Sequence, residues 1–250
     1  MYILGMTGPI GHGKTTLASA LQKLEPSTVH FESSMIVAEV ANALQSKLTE
    51  IPDPYNVDEL NDWLKYLPEI LFKIVHIKTS FDKIKLNRQA MEAHPIEFQK
   101  LILHVENLKR KPAMLKQIID KENKETFRPI LQWLGGYLVQ HVDKGIWYNE
   151  IVRRIQEVAK KGCQLCIVGG LGFPTDAVIL LSTGAVIVQV YRPAHLQGDL
   201  MDPTERERED IHADCVVMSN GTLEDVHAFA PLFYEDLKKN TLKKLYQTKI

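Results

Sequence analysis

A chain of 250 residues with 45% hydrophobic content can bury a large core without a partner, and it fits one α/β domain or one domain with an insertion. Its 30 basic and 31 acidic residues leave a formal charge of -1, so no global field draws it to nucleic acid or to an anionic membrane; any basic site has to be local. No apolar run reaches the ~20 residues that span a bilayer, and the N-terminal run is too short and wrongly flanked for a signal peptide, so the expected compartment is the cytoplasm.

Tyr2 to Thr7 reads as a short buried strand, GPIGHGKT follows as a glycine-rich turn, and TTLASALQKL has apolar residues at helical spacing. Gly8, four residues, then Gly13, Lys14 and Thr15 is the spacing of a P-loop, here in the strand, turn and helix context that gives the pattern meaning. The backbone from Gly8 through Gly11, His12 and Gly13 to Thr16 is expected to curl around phosphate oxygens, with the helix N-terminus adding its positive end and Lys14 a full charge. Thr15 is expected to put its hydroxyl on Mg²⁺, which makes ATP with Mg²⁺ the implied ligand. His12 enters through its backbone; its ring is assigned no chemistry.

Glu25-Pro26-Ser27 breaks the pattern, and Thr28 to Phe31 makes a second strand ending at Glu32. A carboxylate at that end of a parallel strand lies on the side where ligands bind. Ser33 or Ser34 can cap the following helix, IVAEVANALQSKL. Residues 51–127, rich in Lys, Glu and long aliphatics with hardly any glycine, read as a helical insertion built from DELNDWLKYL, PEILFKIV, PIEFQKLILHVENL and AMLKQIIDKEN. Its charges read as a solvated face, and Trp63, Phe72 and Phe98 as core.

ETFRPILQWLGGYLVQHV and KGIWYNEIVRRIQEVAKK are further helices, separated near Asp143 to Gly145. The sheet then resumes with QLCIVG, a short helix between Pro174 and Gly184, the strand AVIVQVYRP ending at Arg192, and DCVVMSN before a C-terminal helix opened by Gly221 and Thr222. Alternating strands and helices imply a three-layer α/β/α domain over the whole chain, with a parallel sheet of about five strands and right-handed crossovers. The polar stretch 192–213 reads as a lid-like loop, because connections of that length are usually functional or disordered. Cys163 and Cys166 have CxxC spacing, but Cys215 is the only other cysteine, so packing in a strand is favoured over zinc or redox chemistry.

Several pieces of the second half share an order. Residues 127–147 supply Arg128, Leu131, Gln132, Leu134, Gly135, Asp143 and Trp147; Phe173 to Ala177 is a Phe-Pro-x-acidic-Ala helix start; a glycine then precedes a strand ending Arg-Pro, an acidic loop follows, and Asn220 to Asp225 reads Asn-Gly-Thr-Leu-Glu-Asp. Together with the P-loop, this order resembles the phage-type deoxynucleoside monophosphate kinases, a branch of the nucleoside monophosphate kinase superfamily. The resemblance covers the core and skips the insertion. It implies a phosphotransferase that moves the γ-phosphate of ATP to a (deoxy)nucleoside monophosphate or similar small phosphorylated acceptor, with Mg²⁺; the balanced charge, apart from the resemblance, leaves no nucleic-acid or membrane partner expected. Dimers are common among such kinases, so a homodimer is implied too, although no stretch marks an interface.

Under that resemblance Arg128 grips the acceptor's phosphate with its planar fork, and Gln132, one helical turn later on the same face, reads the base. Arg192 joins Lys14 in holding the nucleotide. Arg206 and Arg208 are transition-state arginines if ERERED lies in a closing loop, and a salt-bridged solvated face if it is a helix. Arg153 and Arg154 read equally as surface residues. The family also carries an aspartate, and an arginine two residues later, just before the Phe-Pro, where this chain has Gly170 and Gly172. Glu32 is the candidate for the displaced carboxylate, ahead of Asp176, whose place near a helix start also suits the helix dipole. That departure leaves two other readings: a dephospho-coenzyme A kinase, whose core is alike, and a nucleotide-binding regulatory protein with little turnover whose helical insertion contacts a partner.

Overall fold

The computed structural model describes residues 1–87, 92, 95–192, 207–218, 221–239 and 242. Helices are α1 Lys14–Leu24, α2 Ser33–Gln45, α3 Val57–Leu64, α4 Leu67–Val75, α5 Pro95–Arg110, α6 Arg128–His141, α7 Ile146–Lys160, α8 Pro174–Leu181 and α9 Leu223–Lys238. Strands are β1 Tyr2–Thr7, β2 Val29–Glu32, β3 Leu165–Gly169, β4 Val186–Tyr191 and β5 Cys215–Met218. The chain divides into two compact units, Met1–Ser33 with Ile151–Ile250, and Ser34–Glu150.

The first unit is built on one sheet of order β2-β3-β1-β4-β5, parallel throughout. Every residue of β3 is buried, as a strand covered on both faces must be, which explains its unbroken apolar run. Side chains alternate across the sheet. Leu4, Met6, Leu165, Ile167, Val186 and Val188 pack on one face with Leu17 and Leu21 of α1 and with Phe233 and Leu237 of α9. Gly5 faces the other way, where an added Cβ would stand 2.7 Å from Leu180 Cδ2, so α8 lies close against that face. The fold is thus α/β/α.

Two tyrosines tie α9 down: Tyr234 OH donates to Glu25 Oε2 at 3.2 Å, and Tyr2 OH to the Lys238 carbonyl at 3.4 Å. Its start is fixed by a reciprocal cap, in which Thr222 Oγ1 accepts from the Asp225 N–H and Asp225 Oδ2 accepts from the Thr222 N–H. Because the strands are parallel, their carboxyl ends share one edge. From β1 the chain passes beyond β3 to β2, whereas from β3 it passes beyond β1 to β4. The connections therefore diverge between the ends of β1 and β3, the switch point at which ligands of such sheets bind.

The second unit is helical, and it extends beyond the stretch that composition marks. It takes in most of α2 and all of α6, apolar helices with no shift toward Lys and Glu to mark them in the sequence. Trp63 and Phe98 are buried in it, with Trp63 Nε1 donating to the Leu44 carbonyl at 2.8 Å. Phe72 is not core: α4 buries Leu67, Ile70, Leu71 and Val75, which leaves Phe72 on the outer side, 49% exposed and 5.9 Å from Lys78 Nζ.

AMLKQIIDKEN is not a helix either. It forms only a 3-10 turn, Pro112–Lys116, and then runs irregularly. Side chains from elsewhere satisfy its backbone: Asn42 donates to the Ile119 carbonyl at 3.1 Å and accepts from its N–H at 2.8 Å, while Gln45 Nε2 donates to the Met114 carbonyl at 2.9 Å. Asp120 Oδ1 also accepts from the N–H groups of Glu122 and Asn123, a local competitor to helical bonding.

Candidate functional site

Gly8, Gly11 and Gly13 in the turn after β1 have φ of 128°, 82° and 94°, the region that L side chains rarely adopt. Gly8 is doubly constrained, since an added Cβ would stand 2.1 Å from the Val190 carbonyl oxygen. Gly13 is the N-cap of α1 and makes no side-chain cap, so the N–H groups of the first turn are left to face the carboxyl edge of the sheet. Lys14 Nζ folds back over the turn, donating to the carbonyls of Gly8 and Pro9. Thr15 is exposed at the start of the helix and Thr16 half-buried.

Glu32 stands opposite Gly169 in the β2/β3 register. A Cβ on Gly169 would lie 3.2 Å from His30 Nε2 and 3.5 Å from Glu32 Cγ, so both side chains lean over the bare glycine; they approach each other to 3.9 Å. Gly170 has φ of 78°, and its Cβ would sit 3.2 Å from Ser33 Oγ. The next residues are held from several sides. The Leu171 carbonyl accepts from Thr7 Oγ1 at 3.2 Å and from Arg208 Nε at 3.4 Å. Asp176 Oδ2 accepts from the N–H groups of Gly172 and Phe173 at 3.1 and 2.9 Å. Burial pushes the Asp176 carboxyl up to about 7, with help from the charge of Glu207 and against the lowering effect of the two N–H bonds. Asp176 is therefore turned to the backbone of its own helix start.

No protein-family model matches this chain, and no curated protein does.

The edge between β1 and β3 thus gathers the glycine turn, Lys14, Thr15, Glu32 and the Gly169 to Gly172 segment, with Arg208 on its border. Arg208 lies in a 3-10 turn, Arg208–Asp210, and its guanidinium reaches the residue just before Gly172. Arg192 follows β4, and its N–H is bound by His12 Nδ1 at 2.9 Å. Arg206 lies outside the described residues. Arg128 and Gln132 belong to the helical unit: Arg128 Nη1 pairs with Glu125 Oε2 at 2.8 Å in an exposed i,i+3 contact, and Gln132 is half-buried one turn further along α6. Arg153 makes a similar exposed i,i+4 pair with Glu157, the behaviour of a surface residue.

Among the described residues no group of three His, Cys, Asp or Glu side chains could hold a metal. Thr15 and Glu32 are hard oxygen donors, which suits a divalent cation that arrives with a phosphate ligand and keeps some of its own water. The cysteines are buried thiols; burial pushes Cys166 up to about 12, and Cys163 Sγ donates to the Leu165 carbonyl. No helix among the described residues is long and apolar enough to cross a membrane. Two participants escaped the sequence reading, the ring of His12 and the hydroxyl of Thr7. A polar residue closing an otherwise apolar strand was the one available sign of Thr7; nothing in the sequence signalled the ring.

Proposed function

We propose that this chain is a P-loop phosphotransferase that moves the γ-phosphate of ATP to a (deoxy)nucleoside monophosphate or a similar small phosphorylated acceptor. The observation that carries this reading is the turn itself: three glycines in the left-handed region bend the backbone ahead of an uncapped helix start, with Lys14 folded over it at the switch point of a parallel sheet. Phosphoryl transfer asks for positioning and charge stabilisation more than for covalent chemistry. The N–H groups of the turn bind the β-phosphate, and Lys14 exchanges its two carbonyl partners for the β- and γ-oxygens. Thr15 and Glu32 would hold Mg²⁺ at the phosphates, where the ion supplies charge neutralisation.

Gly170 and Gly172 remove a carboxylate and an arginine from the end of β3, and two other side chains stand beside the gap. Glu32 leans over Gly169 from the neighbouring strand, and the Arg208 guanidinium is bonded to the Leu171 carbonyl. Glu32 takes the part of the absent carboxylate, and Arg208 that of the absent arginine, placing positive charge near the transferring group. The glycines also favour a second reading, a nucleotide-binding regulatory protein with little turnover.

The test is ADP production from ATP and Mg²⁺ against deoxy- and ribonucleoside monophosphates and dephospho-coenzyme A. Acceptor-dependent turnover that disappears in Lys14→Ala supports the kinase. ATP binding without turnover on any acceptor refutes it in favour of the regulatory protein, and turnover with dephospho-coenzyme A alone reassigns the acceptor. Glu32→Gln is expected to lower kcat by roughly a hundredfold, the size of losing one transition-state electrostatic contact.

A further inference from the structure

His12 sits between Gly11 and Gly13, at the helix end of the turn, yet its side chain points inward and is 1% exposed. Nδ1 accepts the backbone N–H of Arg192 at 2.9 Å, and the ring tilts against that of Tyr191 with centroids 5.4 Å apart. A ring nitrogen that accepts must carry a lone pair, so the imidazole is the neutral form with its proton on Nε2. The same strand end presses on the turn at a second point, because the Val190 carbonyl lies where a Cβ on Gly8 would be. Both ends of the glycine turn are therefore braced against β4 and the residue that follows it. One brace is backbone packing that only glycine allows, and the other is a side chain.

We propose that His12 is a positioning residue for the polyphosphate: its ring holds the curvature of the turn so that the N–H groups of residues 11–15 converge on one phosphate, and it fixes the peptide of Arg192 to that geometry. The inference rests on the nucleotide reading above and adds to it a role for the ring. Any ligand carrying a nucleoside di- or triphosphate feels this brace alike, whatever its base. The consequence belongs to affinity: KM for ATP should rise while kcat stays within about twofold, because the ring is buried and turned to the Arg192 N–H, with no surface to offer a reacting group.

The experiment measures MgATP and MgADP binding by titration calorimetry, with melting temperatures, for the wild type, Lys14→Ala, His12→Leu, His12→Asn and His12→Gln. Asn places its amide oxygen where Nδ1 stands and can accept the Arg192 N–H; Leu keeps bulk without an acceptor, and Gln puts its amide one bond too far out. His12→Leu should weaken both ligands about tenfold, as expected for an N–H left without its partner, with a melting temperature within about 4 °C of the wild type. His12→Asn should recover most of that loss. Wild-type affinity in His12→Leu, or a lowered melting temperature with unchanged affinity, overturns the proposal and leaves the nucleotide reading standing. If His12→Leu does not fold, the Asn and Gln variants decide: Asn binding several-fold tighter than Gln supports the brace, and equal affinities overturn it. A wild-type chain that shows no saturable MgATP or MgADP binding overturns the nucleotide reading and this inference together.

Discussion

His104 on α5 is 1% exposed, stacked at 19° on the Trp63 ring and tilted against Phe127, each centroid 6.4 Å away. Neither ring nitrogen has a hydrogen-bond partner among the described residues. Burial lowers its pKa from 6.5 to about 4. Between those values the unfolded chain binds a proton that the folded chain refuses, so stability is lost as pH falls through that window. At ~1.4 kcal/mol for each tenfold change in a proton equilibrium, the gap comes to about 3 kcal/mol, most of it felt by pH 4.5. Replacing His104 with Leu removes the titrating group and breaks no hydrogen bond with the described residues.

The assay is urea denaturation at pH 7.5 and at steps down to 4.5, followed by tryptophan fluorescence. The chain's 3 tryptophans are Trp63, Trp133 and Trp147, and all fall within Ser34–Glu150, so the signal reports the helical unit that holds His104. The wild type should lose between about 2 and 3 kcal/mol more than His104→Leu over that range. Parallel loss in the two proteins would mean that the folded ring takes its proton as readily as the unfolded one, and the burial argument would be refuted.

Gly8→Ala forces a Cβ to within 2.1 Å of the Val190 oxygen at a φ of 128°, so β4 or the turn must move; a loss of roughly 3 kcal/mol or more is expected, checked by a melting temperature lower by about 6–12 °C. Gly136→Ala meets nothing within 4 Å on a helix and should stabilise by about 1 kcal/mol in the same measurement. Asp176→Asn tests the opposite pH dependence. The buried carboxyl keeps a proton that the unfolded chain releases between its ordinary 3.8 and about 7, so stability falls as pH rises through that window, and Asn, which still accepts both N–H bonds, should flatten the slope seen by denaturation at pH 5 and 7.5. Asn42→Leu strands the N–H and carbonyl of Ile119 and should cost about 2 kcal/mol, with hydrogen exchange accelerated most in residues 117–123.

The elements of the sheet could be read from the sequence because each is set by local chemistry. Apolar runs of about strand length, glycine and proline at their ends, and the Thr222 to Asp225 cap fixed β1 to β5 and α9 within a residue or two of where they lie. The same local rule put Lys14 and Thr15 at the start of α1 and Glu32 at the end of β2. It failed in the helical unit, where AMLKQIIDKEN has helical spacing but surrenders its backbone to Asn42 and Gln45, some seventy residues away in sequence. No local propensity can foresee such partners. Phe72 shows the complementary failure: hydrophobicity placed it in the core, and the face that α4 presents to its neighbours left it outside.

What the sequence by itself determined was the strand, turn and helix at GPIGHGKT, because glycines at positions 8, 11 and 13 permit the left-handed backbone that the turn needs and the apolar spacing on either side is local. Tertiary structure decided the rest of that edge. The strand order set Glu32 beside Gly169, the packing of a distant turn brought Arg208 to the Leu171 carbonyl, and the end of β4 turned the His12 ring inward to Arg192. Each of these contacts joins residues far apart in the chain, and which ones meet is fixed only when the parallel strands choose their neighbours and bury both faces of the sheet.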